Sequence, residues 1–384
     1  MGINKDKNTM NLETEFPLNP DICYLNHAAV GPWPRRTRDR VIEFANTNTS
    51  RGAQDYPKWL EIEDNLRKQC RSLLNAGSTD DIALVKNTSE ALSMVAHGLD
   101  WQAGDNVVIP ACEFPSNRIV WESLARYGVE LRQVDTRGTD EPEKALFEHF
   151  DANTRLLSVS SVQYDIGLCL DLVKLGQFCK QNDVIYCIDA IQSLGVVEMD
   201  VEAVQADFVM ADGHKWLLGP EGLAIFYSRP AARKKLKLHE FGWHMRENLY
   251  DFDNAQWSIA ESARCFECGS PNMLGAHALD ASLTVFTEFG MQSVTRNIFN
   301  NTSYLIDNLR NLSSIEVQTP PQQQRHAGIV NFKSDAKEAT LLYEELMNKG
   351  VICALRGGGI RFSPHFYTPQ SVMDRALDTL SQLL

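Results

Sequence analysis

A single lysine, Lys215, follows an apolar run and precedes a Gly-Pro turn in the segment ADGHKWLLGPEG, residues 211–222. An amine in apolar surroundings is held in its neutral form, because desolvation disfavours the ammonium ion. A neutral amine is a nucleophile that forms Schiff bases with carbonyl compounds. A lysine that extends from the surface into solvent would fit the same letters, so Lys215 alone leaves both interpretations open.

A carboxylate also follows a predicted buried strand, since Asp189 comes directly after the mostly apolar run DVIYCI. A buried carboxylate is costly unless it is paired, so Asp189 is expected to face a cation. Gln192 lies three residues further along, in the segment DAIQSLG. A structural N-cap of the next segment is the alternative interpretation of this aspartate.

Two further segments, NTSEAL and CEFPSN, follow predicted strands. In the first, Asn87, Thr88 and Ser89 would begin a helix, whose N–H groups and dipole suit a phosphate. In the second, Phe114 could present its ring to a flat ligand. An ordinary N-cap and a core phenylalanine are the structural alternatives.

Together, these four features match the needs of pyridoxal 5′-phosphate. Its aldehyde needs an amine (Lys215), its ring nitrogen needs an acid (Asp189), its phosphate needs a helix N-terminus, and its ring face needs a stacking partner (Phe114). Each of these groups follows a predicted strand, and ligands of open parallel sheets lie beyond the carboxyl ends of the strands. The sequence therefore predicts a site for this cofactor.

Seven short apolar runs alternate with helical patterns between about residues 80 and 230. This alternation predicts an α/β fold, with a mostly parallel sheet covered by helices. The predicted strands are IALVK, NVVIP, VELRQVD, TRLLSVSSV, DVIYCIDA, DFVMAD and GLAIFYS, with helices such as 88–98, 116–127 and 171–182 between them. After about residue 285 the pattern predicts a smaller α+β domain, whose last helix has Thr368 as N-cap and Pro369 at its first position.

The bulk composition limits the class of protein. The 384 residues suggest about two domains, and 43% hydrophobic with 23% charged residues is ordinary for a globular protein. No apolar stretch reaches the roughly 20 residues that span a bilayer, and a net charge of −13 argues against nucleic acid or an anionic membrane as a partner. The opening MGINKDKNTMNLETEF lacks the apolar region of a signal peptide, and nine cysteines scattered through apolar runs fit reduced thiols. A cytoplasmic location is therefore expected.

With these motifs in this order, the chain resembles the class V aminotransferases of pyridoxal-phosphate fold type I, a family that includes cysteine desulfurases, kynureninase and isopenicillin N epimerase-like enzymes. The resemblance runs from YLNHAAVGP at 24–32 to GIRFSPHFYTP at 359–369, and includes GHKWLLGPEG, DAIQSLG, NTSEAL and FECGSPN. It implies a large cofactor-binding domain, residues 21–284, with a seven-stranded mostly parallel sheet. Residues 1–20 and 285–384 would form the smaller domain, and a homodimer with shared active sites is expected.

The same resemblance implies roles for individual residues. By it, Lys215 forms the Schiff base and Asp189 pairs with the ring nitrogen. His214 belongs with them to the catalytic set and also contacts the cofactor, near its phosphate. Further cofactor contacts are implied for Asn87, Thr88, Ser89, Phe114, Gln163, Gln192 and, reaching across from a second protomer, Ser270. Substrate contacts are implied for Asn26, His27, Arg356 and Arg361. Of these, Arg361 would bind the α-carboxylate, a task that suits a bidentate guanidinium.

The chain also departs from the family pattern. Cysteine desulfurases carry a catalytic cysteine on a loop just before the segment that corresponds to IRFS, but this chain has LRGGG there, and the glycines 357–359 predict a short connection. Cys353, inside VICALR, is interpreted as a core thiol. Asp212 stands where the family often has a hydroxyl, and it should turn away from a phosphate or bond backbone groups. Cys265 and Cys268 have C-x-x-C spacing without a second pair, so no metal site is predicted.

These features predict an enzyme that uses pyridoxal 5′-phosphate on the α- or β-carbon of a small amino acid. In it, Asp189 keeps the ring nitrogen protonated, while Lys215 moves the substrate proton as base and acid. A desulfurase-like C–S or β-lyase without the loop cysteine is the first expectation, and a class V aminotransferase or an amino-acid epimerase is the second. A catalytically silent protein that binds the cofactor is the alternative from a different class.

Overall fold

The computed structural model describes residues 10–384, so residues 1–9 of the predicted N-terminal segment lie outside the described part. The helices are α1 (Leu12–Glu15), α2 (Arg35–Arg51), α3 (Tyr56–Leu74), α4 (Thr88–Gly98), α5 (Ser116–Glu122), α6 (Pro142–Phe147), α7 (Leu172–Gln181), α8 (Pro230–Arg233), α9 (Met273–Phe289), α10 (Met291–Arg310), α11 (Ala339–Asn348) and α12 (Gln370–Leu383). The strands are β1 (Cys23–Tyr24), β2 (Ile82–Val85), β3 (Asn106–Pro110), β4 (Glu130–Val134), β5 (Thr154–Ser160), β6 (Ile185–Asp189), β7 (Phe208–Asp212), β8 (Ala224–Ser228), β9 (Ile315–Val317), β10 (Val330–Ser334), β11 (Val351–Ile352), β12 (Ala354–Arg356) and β13 (Gly359–Phe362). Among the described residues, no helix has the length and apolarity to cross a membrane.

The central sheet contains the seven strands that the sequence predicts, in the order β2-β8-β7-β6-β5-β3-β4. Four neighbouring pairs are parallel, and β8 runs antiparallel to both of its neighbours. Every residue of β3, β6, β7 and β8 is buried. A sheet covered on both faces has no polar side, which explains why these strands are almost continuously apolar in sequence. The prediction of a mostly parallel seven-stranded sheet is confirmed.

Two apolar clusters cover the two faces of this sheet. Ile188 and Val209 belong to one cluster, and their chain neighbours Cys187 and Met210 belong to the other. This alternation follows from the two-residue repeat of a strand, which sends successive side chains to opposite faces. Because both faces are filled with apolar side chains, the ends of the strands are left as the place for polar, chemically active groups.

The C-terminal part of the chain forms a smaller α+β unit, as the sequence predicts. Its four strands are antiparallel and have the order β12-β13-β10-β9. Side chains from α10, α11 and α12 pack with these strands in a third apolar cluster. The short strand β1 pairs in parallel with β11, and this pairing brings Cys23 and Leu25, the residue after the strand, into that cluster. The exact division of the chain at residue 284 stays a prediction.

Two local features differ from the sequence patterns. The long helical stretch before residue 312 is divided into α9 and α10 at Gly290, whose φ of +84° is incompatible with a continuous helix. The last helix begins at Gln370, and Pro369 occupies the N-cap position. The hydroxyl of Thr368 instead accepts a hydrogen bond from His365 N at 2.9 Å. The prediction of Thr368 as N-cap is therefore wrong by one residue, a typical error for helix ends.

Candidate active site

A cleft of about 250 Å³ lies at the carboxyl ends of the parallel strands, where α/β proteins bind their ligands. Its lining consists of Ala28, Ala29, Thr88, Ser89, Phe114, Ser116, Tyr164, Asp189, Ile191, Gln192, Asp212, His214, Lys215, Arg356 and Arg361. Among these are the predicted site residues Thr88, Ser89, Phe114, Asp189, Gln192, His214, Lys215, Arg356 and Arg361. Segments that are far apart in sequence thus meet at one edge of the sheet.

Lys215 lies in the turn after β7 and lines the cleft. Its Nζ lies 5.6 Å from the centroid of the Phe114 ring. Burial lowers the pKa of Lys215 to about 8, an effect that the negative charge of Asp189 partly offsets and the positive charge of Arg361 reinforces. A substantial fraction of the amine is therefore neutral near physiological pH, as a nucleophile requires.

Two contacts fix the turn that carries this lysine against the N-terminal segment. Gly31 N donates a hydrogen bond to His214 O at 2.7 Å. Gln192 bridges the same two segments, because its Nε2 donates to Ala28 O at 3.0 Å and its Oε1 accepts from Trp216 Nε1 at 2.8 Å. The side chain of Gln192 lines the cleft, but these bonds assign it a structural task as well.

We expect Gly31→Ala to displace the lysine turn, since a Cβ at residue 31 would lie 2.1 Å from the backbone oxygen of Lys215. Overpacking of this kind lowers the free energy of unfolding by about 1–3 kcal/mol. Gly77→Ala is the matched control, because a Cβ at Gly77 would meet nothing within 4 Å. Urea unfolding of both variants is the measurement, and equal midpoints would contradict the close approach.

Asp189 ends β6 and is only 2% exposed. Its Oδ1 accepts a hydrogen bond from Ile191 N at 3.0 Å. Burial raises the pKa of Asp189 to about 6, although that hydrogen bond and the charge of Lys215 act in the opposite direction. The hydrogen bond and the charge of Lys215 therefore do not fully offset the cost of burying the negative charge of Asp189. A protonated ring nitrogen would supply a further positive charge.

The N-terminus of α4 forms another part of the cleft wall. Asn87 caps this helix, because its Oδ1 accepts from Glu90 N at 2.8 Å. Thr88 Oγ1 is buried without a hydrogen-bond partner among the described residues. Ser89 Oγ donates to Ser116 Oγ at 2.8 Å. Together with the unpaired N–H groups of a first helical turn, these hydroxyls suit a phosphate.

Asp212 and His214 face each other at the end of β7. Their atoms Oδ1 and Nδ1 lie 3.2 Å apart but lack hydrogen-bond geometry, and neither has another partner in the described part of the chain. Asp212 lines the cleft, and its Oδ1 bonds no backbone group among the described residues; that its carboxylate turns away from a phosphate stays a prediction.

Arg361 lies on β13 and is 1% exposed. Its Nη1 donates to Tyr164 O at 2.7 Å and its Nη2 to Asn26 Oδ1 at 3.4 Å, while Nε has no partner among the described residues. Burial, reinforced by the nearby positive charge of Arg356, lowers the pKa of Arg361 to about 9. A buried guanidinium held by neutral oxygens is suited to bind an incoming carboxylate.

Several predicted site residues do not line the cleft: Asn26, His27, Asn87, Gln163 and Ser270. Asn26 instead supports Arg361. Both ring nitrogens of His27 are occupied, by Ser363 O and Tyr367 Oη, each at 2.8 Å, and burial lowers its pKa to about 4. His27 is therefore a neutral core residue at physiological pH. Ser270 is exposed on the segment before α9, and its predicted contact across a dimer interface stays a prediction.

Tyr164 is one of the cleft residues that the sequence patterns did not indicate; the others are Ala28, Ala29, Ser116 and Ile191. Its carbonyl binds Arg361, and its ring packs edge-on against Phe114 with ring centroids 5.1 Å apart. Phe114 is 39% exposed, so its interpretation as a core phenylalanine is wrong. The location of Tyr164 in the sequence could have identified it as a site residue, because it follows the end of β5 in the same segment as Gln163.

The groups around the cleft fit pyridoxal 5′-phosphate. Buried polar atoms without partners among the described residues belong to four cleft residues, Thr88, Asp212, His214 and Arg361. Such atoms also occur elsewhere among the described residues, but these four residues line one cleft, where a polar ligand would supply the missing hydrogen bonds. An amine of lowered pKa, a buried acid, a helix N-terminus and an exposed aromatic ring are the partners that this cofactor needs.

The described residues place no cysteine in the lining of the cleft. Strands β12 and β13 are joined by the two-residue turn Gly357–Gly358, with φ of +59° and +74°, which is typical of tight hairpins. Cys353 is buried, and burial raises its pKa to about 12. Its thiol therefore stays protonated and unreactive, as expected of a core cysteine.

Comparison with known proteins places these features in context. The model of the aminotransferase class-V family matches residues 23–368. A probable cysteine desulfurase of Methanothermobacter thermautotrophicus is 29% identical, over 98% of each chain. Two solved structures have TM-scores of 0.89: a C-DES mutant with glycine covalently linked to the PLP cofactor (20% identity, 96% of this chain and 98% of that chain), and the cystine C–S lyase C-DES in complex with its product cysteine persulfide (21% identity, 95% and 99%).

Proposed function

This chain belongs to the class V aminotransferase family, whose members depend on pyridoxal 5′-phosphate, and from that premise we propose that it is a C–S lyase for a cysteine-type amino acid. Its similarity to a probable cysteine desulfurase and to a cystine C–S lyase favours a sulfur-containing substrate. One observation supports the choice of lyase over desulfurase: β12 and β13 are joined by the two-residue turn Gly357–Gly358. The resemblance to desulfurases implies a cysteine-bearing loop just before β13, and this turn contains no cysteine.

We propose that the chain holds the cofactor with groups from four segments. The N-terminus of α4, with Thr88 and Ser89, binds the phosphate. Phe114 covers one face of the ring, Asp189 binds the ring nitrogen, and Lys215 provides the amine for covalent attachment. When bound, the cofactor supplies an aldehyde for that attachment and a ring that withdraws electrons from the α-carbon of the substrate.

Two residues of the cleft act on the substrate, one by binding it and the other by moving its proton. Arg361 binds the α-carboxylate and so fixes the orientation of the bonds at Cα. Lys215 Nζ removes the proton from Cα, the Cβ–S bond breaks, and its electron pair leaves with the sulfur, which takes up a proton. For cysteine, the overall change consumes one water and yields pyruvate, ammonia and hydrogen sulfide. This balance needs no thiol on the enzyme and no redox partner.

A product assay tests this proposal. Protein loaded with pyridoxal 5′-phosphate is incubated with cysteine, cystine and a panel of other amino acids, with and without a keto acid. We expect pyruvate and ammonia, with sulfide or a persulfide, and no need for the keto acid. Alanine in place of pyruvate would indicate a desulfurase, amino transfer to the keto acid an aminotransferase, and inversion at Cα an epimerase. Visible absorption that no amino acid alters would indicate a silent cofactor-binding protein.

Asp189→Asn is expected to lower kcat by about 10²-fold or more, because an amide cannot keep the ring nitrogen protonated. Asp207→Asn is the matched control: Asp207 precedes the first residue of β7, at the other end of the sheet, and accepts a hydrogen bond from Tyr186 N at 2.9 Å. Steady-state kinetics at saturating cofactor compare the two variants. Unchanged turnover in Asp189→Asn would refute the role given to this carboxylate.

A further inference from the structure

Two residue pairs form two layers at the floor of the cleft. In the upper layer, the rings of Phe114 and Tyr164 pack edge-on, with centroids 5.1 Å apart, and both line the cleft. In the lower layer are the residues that directly precede them in sequence. There, Gln163 Nε2 donates a hydrogen bond to Glu113 Oε1 at 2.8 Å. Glu113 is 4% exposed and Gln163 is 0% exposed, so this bond is enclosed by protein.

The carboxylate of Glu113 also holds the end of β5. Its Oε1 accepts from Ser160 N at 2.6 Å, and its Oε2 accepts from Ser160 Oγ. Ser160 is the register partner of Asp189 on β6, and the next residue, Ser161, donates its N–H to Asp189 O at 3.0 Å. The segment after β3 is thereby connected to the strand ends that carry the other cofactor-facing groups.

Gln163 transmits this connection to the substrate side of the cleft. It begins a closed turn, because Gln163 N donates to Leu168 O at 2.8 Å and Gly167 N donates to Gln163 O at 3.1 Å. The next residue in that turn, Tyr164, offers its carbonyl oxygen to Arg361 Nη1 at 2.7 Å. A shift of Gln163 would therefore move the carbonyl that holds Arg361.

Burial makes Glu113 an expensive residue for a core. It raises the pKa of this carboxyl to about 7, although the donors from Ser160 and Gln163 act in the opposite direction. A buried carboxyl group is costly unless its oxygens are hydrogen-bonded, and both oxygens of Glu113 are, whereas Gln163 Oε1 has no partner among the described residues. Buried hydrogen bonds of this kind favour one arrangement of the segments they join. Glu113 thus contributes more to the arrangement of the segments around the cleft than to the free energy of unfolding.

We propose that the Glu113–Gln163 hydrogen bond is a buried clasp that positions Phe114 for the cofactor and, through Tyr164, Arg361 for the substrate carboxylate. Glu113 and Gln163 are positioning residues, because neither lines the cleft. The inference rests on the proposed function only for the ligands assigned to Phe114 and Arg361.

A double-mutant cycle tests the clasp in the full-length protein. Glu113→Gln keeps the size of the side chain but places an amide donor among donors, and Gln163→Leu removes the bond from the other side. Each is expected to raise both the Kd for pyridoxal 5′-phosphate and the KM for the amino acid by about tenfold, with a smaller change in kcat. The double variant should be no worse than the poorer single variant, because both changes break one interaction.

Glu122→Gln is the matched control, since this exposed carboxylate on α5 only pairs with Arg118 at the surface. Thermal unfolding separates positioning from stability. Three results would each overturn the clasp. The folded single variants could have wild-type Kd and KM, or the double variant could show additive effects. The loss of cofactor and substrate binding could also be no larger than the unfolded fraction of the variant. A wild-type protein that binds no pyridoxal 5′-phosphate would instead reject the proposed function.

Discussion

Lys215→Ala is expected to abolish covalent attachment of pyridoxal 5′-phosphate and to lower turnover by about 10⁴-fold or more. One side chain supplies both the attaching amine and the base for the Cα proton, so its removal deletes both contributions. Borohydride reduction followed by peptide mass spectrometry locates the attachment, and steady-state kinetics measure the loss. A cofactor that remains bound without a covalent link would be consistent with the contacts of Asp189 and α4.

Lys86→Ala is the control for this substitution. Lys86 also follows an apolar strand directly, but it is exposed and does not line the cleft. We expect its variant to retain both the covalent link and the turnover. Reduction that labels Lys86 instead of Lys215, or an active Lys215→Ala enzyme, would contradict the assignment.

The pKa of Lys215 also predicts how attachment depends on pH. Burial lowers this pKa to about 8, so the neutral amine fraction rises with pH through that value and is nearly complete above it. An unperturbed lysine, with a pKa of about 10.4, would continue to gain reactivity well beyond that point. The rate of attachment to cofactor-free protein should therefore rise through about pH 8 and then level off. A rate that still rises steeply above about pH 10 would show an unperturbed amine.

Arg361→Ala is expected to weaken substrate binding by on the order of 2–5 kcal/mol, the usual loss when one partner of a buried charge pair is removed. The folded protein should tolerate this change, because the guanidinium is buried without an acidic partner among residues 10–384 and its removal relieves an uncompensated charge. The measurement is the KM for an amino acid, together with the Kd for an unreactive analogue. Wild-type values in Arg361→Ala would exclude this residue as the carboxylate site.

The amide of the same amino acid sharpens this test, because it lacks the negative charge that Arg361 would bind. Wild-type protein should prefer the acid strongly, whereas Arg361→Ala should bind acid and amide about equally. Arg118→Ala, which removes a surface guanidinium paired with Glu122, should keep the wild-type preference. A preference that survives in Arg361→Ala would move the carboxylate site to another group, such as Arg356.

The strands of the large sheet were predictable because their environment is uniform. Strands such as β6 and β7 are buried on both faces, so each must be apolar along its whole length, and a polar residue such as Asp189 marks the strand end. The start of α4 was predictable for a similar local reason, since Asn87 caps the helix with its own side chain. The approximate location of the site followed from these strand ends and from the start of α4.

The errors lie in turns, where no repeat specifies which way a side chain points. Gln163 and Tyr164 are neighbours after β5, yet the first is enclosed beneath the cleft and the second lines it. His27 belongs to the N-terminal segment that packs on the turn carrying Lys215. Both of its ring nitrogens, however, are hydrogen-bonded within the core. In a turn, one residue can line the ligand site while the next residue along the chain only supports it from the core.

The sequence by itself determined the sheet, the strand ends and the set of chemical groups that follow them, because burial on two faces constrains every position of a strand. The residues around Lys215 by themselves fit both a buried nucleophile and a lysine that extends into solvent. Tertiary structure decided between them by packing the N-terminal segment against the turn that carries Lys215 and closing a cleft around its amine. The physical reason is that desolvation depends on neighbours distant in the chain, and desolvation is what makes a lysine reactive.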